Sequence, residues 1–239
     1  KTALRMENLS KSDLLKSWLD RLAIVDKITI TTAQFGFFRV SSPDYGSGSA
    51  GVMQPIKASN KDWLAAVQIP GEGIFLGFKA DEINKWYEQN ADFFKSRFDN
   101  SDFKTPSLRN VKIQNGKELA GLYLVHSFSH FLINALSFEA GFNAASIRER
   151  IYLSEGMYGV FLHTSSGDSD ASLGGLAYRG HIHKIEKIMR TRMPLMSVCS
   201  NDPVCAEGRE EDSVGHTYAA CFSCLFLSET SWSMFNDVL

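Results

Sequence analysis

For its first 198 residues the chain contains no cysteine. That excludes a disulfide framework spread through the fold, and it excludes cysteine as a routine small core residue. Net charge is also scarce. The 25 lysines and arginines nearly cancel 27 aspartates and glutamates, for a formal charge of −2. No global field then draws the protein to nucleic acid, and any such surface must be a local patch. No apolar run approaches the roughly 18 residues of a membrane helix. The longest lies near Leu119 to Val125. A signal-peptide pattern is lacking, as are a G-x-S-x-G elbow and any internal repeat, and the glycine-rich stretch Thr164 to Gly175 is neither a Walker A loop nor a dinucleotide fingerprint. The expected compartment is the cytoplasm, with no membrane association. What remains is an ordinary globular composition, 44% apolar and 22% charged, in 239 residues that can bury a proper core.

Against that background the cysteines stand out. Cys199, Cys205, Cys221 and Cys224 read C-x5-C, a 15-residue insert, then C-x2-C. Two close pairs on either side of a short loop can present four thiolates to one tetrahedral zinc ion. Two disulfides are the first rival, better suited to a small secreted protein. A redox C-x-x-C at Cys221 to Cys224 is the second, but it leaves the other pair unexplained. Structural zinc implies a closed site without catalysis. Such sites supply about 10–16 kcal/mol of apparent binding energy. That is ample to order the polar stretch Ser200 to His216.

The expected fold class is mixed α/β: one buried central helix with short strands, followed by a four-cysteine zinc-binding module. Residues 1–98 are expected to form an N-terminal α/β region with a hairpin, 99–118 a connector, and 119–239 the zinc-binding domain. Leu14, Leu15, Trp18, Leu19 and Leu22 repeat at helical spacing and predict an amphipathic helix over 11–24 that opens the chain, with Asp13 in its first turn. Ile28 to Thr32 is β-branched and predicts a strand. Leu64 to Ile69 and Ile74 to Phe78 flank Pro70-Gly71-Glu72-Gly73, a hairpin signal. Asp81 to Phe94 reads as one helix. Leu119 to Ala140 is apolar nearly all round and belongs in a core, with Gly141 as its stop. Ser146 and Glu149 have capping-box spacing, Tyr158 to His163 reads as a buried strand, and His181 to Arg192 as a helix ending before Pro194. The chain begins at Lys1 without a methionine and is expected to be a portion of something longer.

Three further groups could carry chemistry. His126, His130, Asn134 and Ser137 form a polar stripe on the apolar helix. It must meet a polar partner: a loop, backbone, ligand, metal or water. Ser127 stands where a zinc protease needs glutamate, which excludes that class. Thr164 to Gly175, with Gly167, Asp168, Asp170, Gly174 and Gly175, is either a tight turn over the stripe or a phosphate cradle. His126, His130, Asp168 and Asp170 together could hold a divalent cation, which keeps a nuclease or phosphodiesterase as an alternative. Finally, His183, Lys184, Lys187, Arg190 and Arg192 make a basic helix face suited to phosphate contact.

Several segments in one order resemble the DrmB family, accessory subunits of the DISARM anti-phage defence system. These are Leu124 to Ile133, Ala145 to Tyr152, Gly167 to Leu176, Cys199 to Cys205 and Ala219 to Cys224. Phe35 to Arg39 and Pro70 to Phe75 resemble DrmB segments as well. The C-terminal module is similar to the zinc-binding tail of Mrf-type DNA-repair helicases. The resemblance implies a non-catalytic cytoplasmic subunit that joins a superfamily 2 DNA helicase of the DrmA kind on DNA. It also implies that the four cysteines are zinc ligands. A purely structural zinc scaffold without DNA contact is a further alternative. Family members are much longer, with an additional N-terminal half. Where a further cysteine is expected near the close, this chain has Trp232, then Ser233 and Asn236.

Overall fold

The structure is a computed structural model that describes residues 3–34, 36–37, 54–55, 63–100, 113–141, 143–154, 156–164, 175–203, 205, 223–225, 227 and 236. Its strands are β1 (Ala3–Met6), β2 (Leu19–Gln34), β3 (Gly36–Phe37), β4 (Gln54–Pro55), β5 (Ala65–Phe78), β6 (Ile147–Ser154) and β7 (Met157–Thr164). Its helices are α1 (Asp13–Trp18), α2 (Ala80–Gln89), α3 (Ala91–Asn100), α4 (Gly116–Ala140), α5 (Gly175–Arg179) and α6 (Ile182–Arg192). Five strands form one antiparallel sheet in the order β1-β2-β5-β7-β6, and β3 pairs with β4 separately. The regions on either side of residues 99–118 thus contribute to a common sheet.

One face of the sheet is an apolar pavement. Leu22 and Ile24 lie opposite Leu76 and Ile74, which lie opposite Val160 and Leu162. Against it packs α4, through Val125, Phe128, Leu132 and Leu136, and α6, through Ile185, Ile188 and Met189. Each such side chain contributes roughly 1.5–3 kcal/mol on burial. The 25-residue α4 is long and apolar enough to cross a membrane by length and composition, although no unbroken apolar run shows it. Most of it is buried inside the protein, as befits a core helix. Asn115 caps its start by accepting from the Glu118 amide at 2.9 Å, and Gly141 ends it with φ at 69°.

Several sequence expectations need correction. The chain opens on β1, and the predicted helix over 11–24 stops at Trp18. Leu19 and Leu22 belong to β2, where Leu22 to Val25 are all buried and β-branched Ile24 and Val25 favour an extended chain. The expected hairpin at Pro70 to Gly73 is one continuous strand, β5. The glycines there serve close approach instead of a turn. A Cβ at Gly71 would come within 2.2 Å of the Thr164 carbonyl oxygen, and one at Gly73 within 2.5 Å of the Phe161 ring. Pro70 is tolerated because pairing with β7 begins only at Gly73. Asp81 to Phe94 is two helices that break at Asn90, whose side chain donates to the Trp86 carbonyl at 2.8 Å. Ser146 and Glu149 are no capping box: Glu149 lies within β6.

Candidate metal centre

The second half of the chain brings three of the four cysteines together. After α6, a single-turn helix over Met193–Ser197 leads directly into Cys199. The turn that follows is held by Asp202, which accepts from the Cys199 amide at 2.8 Å. The Asn201 amide donates to Cys199 Sγ at 3.4 Å. Cys205 Sγ then lies 3.3 Å from Cys224 Sγ, and the sulfurs of Cys199, Cys205 and Cys224 all fall within 4.8 Å of one another. A disulfide needs about 2.05 Å, and none joins these three. Thiolates around a zinc ion with bonds of about 2.3 Å sit roughly 3.8 Å apart, close to what is seen. The donor set fits zinc. Cys221 lies outside the described residues.

The polar stripe of α4 meets a partner that sequence reasoning missed. His126 and His130 are fully buried, and both turn toward Glu149 of β6, which is 2% exposed. His126 Nε2 is 3.2 Å and His130 Nε2 3.6 Å from Glu149 Oε1. The two rings meet edge to face, with centroids 4.5 Å apart. The Ser129 hydroxyl lies within hydrogen-bond reach of both Glu149 Oε2 and the His126 carbonyl, and its single proton can serve either. His130 Nδ1 donates to the Leu225 carbonyl at 2.8 Å, one residue beyond Cys224. Burial alone would raise the Glu149 pKa, but when His126 and His130 carry protons toward it their hydrogen bonds and charge outweigh burial and hold the carboxyl well below the usual carboxylate range. The signal for Glu149 was available. Ile147, Glu149 and Ile151 alternate along one face of a strand that packs on α4, and Ile147 is fully buried. Asn134 and Ser137 continue the stripe but lie outside this cluster of donors. Gly167, Asp168, Asp170 and Gly174 lie outside the described residues, and Gly175 begins α5.

The basic face is partly spoken for. Arg190 pairs with Glu186 at 2.7 Å, and Lys184 lies over the Tyr178 ring at 5.0 Å. Arg192 stacks over Phe138 at 3.7 Å and reaches Glu139 at 3.6 Å. His183 and Lys187 are exposed. Beside this face Phe138, Leu195 and Val198 stand 73%, 60% and 74% exposed. With Arg192, Met196 and Cys224 they line a cavity of about 450 Å³.

Residues 128–225 match the family described as MZB, the MrfA Zn-binding domain. The match takes in all four cysteines and His130, so zinc is the cofactor of the domain type found here. Over 95% of its length the chain is 30% identical to the DISARM protein DrmB of Bacillus paralicheniformis. The chain is similar to DrmB over nearly all of its own length. It spans 41% of the length of that protein. Among solved structures it is similar to the DUF1998 helicase MrfA bound to DNA, at 11% identity and a TM-score of 0.41, over 94% of this chain and 22% of that one. That likeness is too loose to bear on function.

Proposed function

We propose that this chain is a non-catalytic, helicase-associated part of an anti-phage defence complex, working in the cytoplasm. Cys199, Cys205, Cys221 and Cys224 hold one zinc ion. The ion fixes the tail against α4 and α6. The observation that carries the reading is the convergence of three cysteine sulfurs beside an exposed apolar strip, Phe138, Leu195 and Val198. Large apolar side chains exposed together mark a docking surface. The relationship to DrmB supports a superfamily 2 DNA helicase of the DrmA kind as the occupant. His183 and Lys187, with Lys184, Arg190 and Arg192 behind them, supply contact to the DNA phosphates alongside it.

The zinc scaffolds and does not react, because a four-thiolate set leaves no open position. Burial of His126 and His130 speaks against the nuclease alternative, since a phosphodiester cannot reach them. Co-purification with a superfamily 2 DNA helicase of the DrmA kind tests the proposal, together with stimulation of that helicase's DNA-dependent ATPase. We expect a stable complex and stimulation, and loss of both in Leu195→Asp/Val198→Asp. An absent complex, or one indifferent to that double substitution, contradicts the proposal.

A further inference from the structure

The cluster of His126, His130 and Glu149 is separate from the cysteines and unused by the function above. We infer that it is a second metal site, for a divalent transition ion of the zinc type, inside the core between α4 and β6.

The argument starts from a proton. The Leu225 carbonyl can only accept, so the hydrogen bond from His130 Nδ1 places the ring proton on that nitrogen. In the neutral ring, Nε2 then presents its lone pair to the cluster. It faces Glu149 Oε1 at 3.6 Å, too far for a hydrogen bond, and Nε2 has no hydrogen-bond partner. A lone pair aimed at a carboxylate in a core closed to water is repulsive unless a cation lies between them.

The geometry suits a metal ion. Donors bound at about 2.0–2.1 Å in a tetrahedron lie roughly 3.3 Å apart. Glu149 Oε1 stands 3.2 and 3.6 Å from the two imidazole nitrogens, and the three donor atoms lie within 4.8 Å of one another. The outer contacts match as well. Metal-binding histidines give their other N–H to a carbonyl, as His130 does to Leu225. Ligating carboxylates are themselves hydrogen-bonded, and the Ser129 hydroxyl is within reach to do this for Glu149. Two imidazoles and a carboxylate favour zinc over calcium or magnesium, which take oxygen donors. The ion would tie α4 to β6 and, through Leu225, to the residue next to Cys224.

The test is metal content and zinc-edge X-ray absorption on the whole chain, purified without chelator. We expect about two zinc equivalents, with sulfur and imidazole scatterers both present. Glu149→Gln should lower the content to about one. It should keep the thiolate-to-metal charge-transfer band after cobalt substitution, which shows that the cysteine site is intact. Cys199→Ser/Cys205→Ser should also leave about one equivalent, but without that band. One equivalent in the unaltered chain with sulfur-only coordination overturns the inference, and means that a proton, not a metal, sits between His130 and Glu149. Retention of both equivalents in Glu149→Gln overturns it equally. The absorption spectrum of the unaltered chain decides the matter even if that variant does not fold.

Discussion

At the scale of single residues, the tail is pinned by contacts that composition does not announce. Asn236 stands near where the DrmB resemblance leads one to expect a cysteine. Its side chain accepts from the Leu227 amide at 2.9 Å and donates to the Leu227 carbonyl at 2.8 Å. Leu227 is thereby held in the core, 3% exposed. Asn236→Ala should cost about 1–3 kcal/mol in a denaturant melt, because it leaves backbone groups unsatisfied. Zinc content should not change, since this residue serves the chain and not the ion. A pH effect resides at His163. Burial lowers its pKa, and Arg148 and Arg150 across the ladder add to the shift, against a hydrogen bond with Thr164 that opposes it. The unfolded chain therefore binds more protons, and stability falls as pH drops below about 6.5. His163→Phe should flatten that slope in melts between about pH 5 and 7, keeping the stack on Phe161. An unchanged slope would place the titration elsewhere.

At the scale of elements, what the sequence made legible was burial, and what it hid was extent. The central helix was plain, because a cylinder apolar on every side with a glycine behind it has few other fates. Strand β7 and helix α6 were equally readable from a short apolar run and a 3.6-residue period. The spacing suggested a four-cysteine set, of which Cys199, Cys205 and Cys224 lie together and Cys221 is outside the described residues. The misses share a cause. Leu19 and Leu22 satisfy a helical period and also an inward-facing strand, and only packing against Leu76 and Phe78 decides between them. Pro70 to Gly73 has the chemistry of a turn, yet its glycines exist so that neighbouring strands can come close. Glu149 was taken for a cap because its partners lie across space on α4, not along the chain. Close approach also governs the seam between α4 and β7. A Cβ on Gly121 would lie 2.2 Å from the Tyr158 ring. Gly121→Ala should therefore destabilise by about 1–3 kcal/mol in urea titration, although alanine is the better helix former. A gain in stability would mean that α4 does not sit against Tyr158.

At the scale of the whole molecule, among the described residues, the five-stranded sheet packs against the buried helix α4, and the cysteine cluster lies beside exposed Phe138, Leu195 and Val198. Charge reversal at Lys184 and Lys187 should weaken DNA binding by the helicase complex. It should lower the salt slope by roughly one for each phosphate that is no longer neutralised, while the protein complex itself persists. Unchanged DNA affinity and slope would favour the pure scaffold. Beneath both outcomes lies the claim that the cysteines clasp an ion. The most direct measurement is zinc content by mass spectrometry across the four single cysteine-to-serine variants, each compared with the unaltered chain. Substitution of Cys199, Cys205, Cys221 or Cys224 should each remove about one equivalent and abolish helicase binding. Full zinc retention in any of the four, or unaltered protein that carries none, would contradict it.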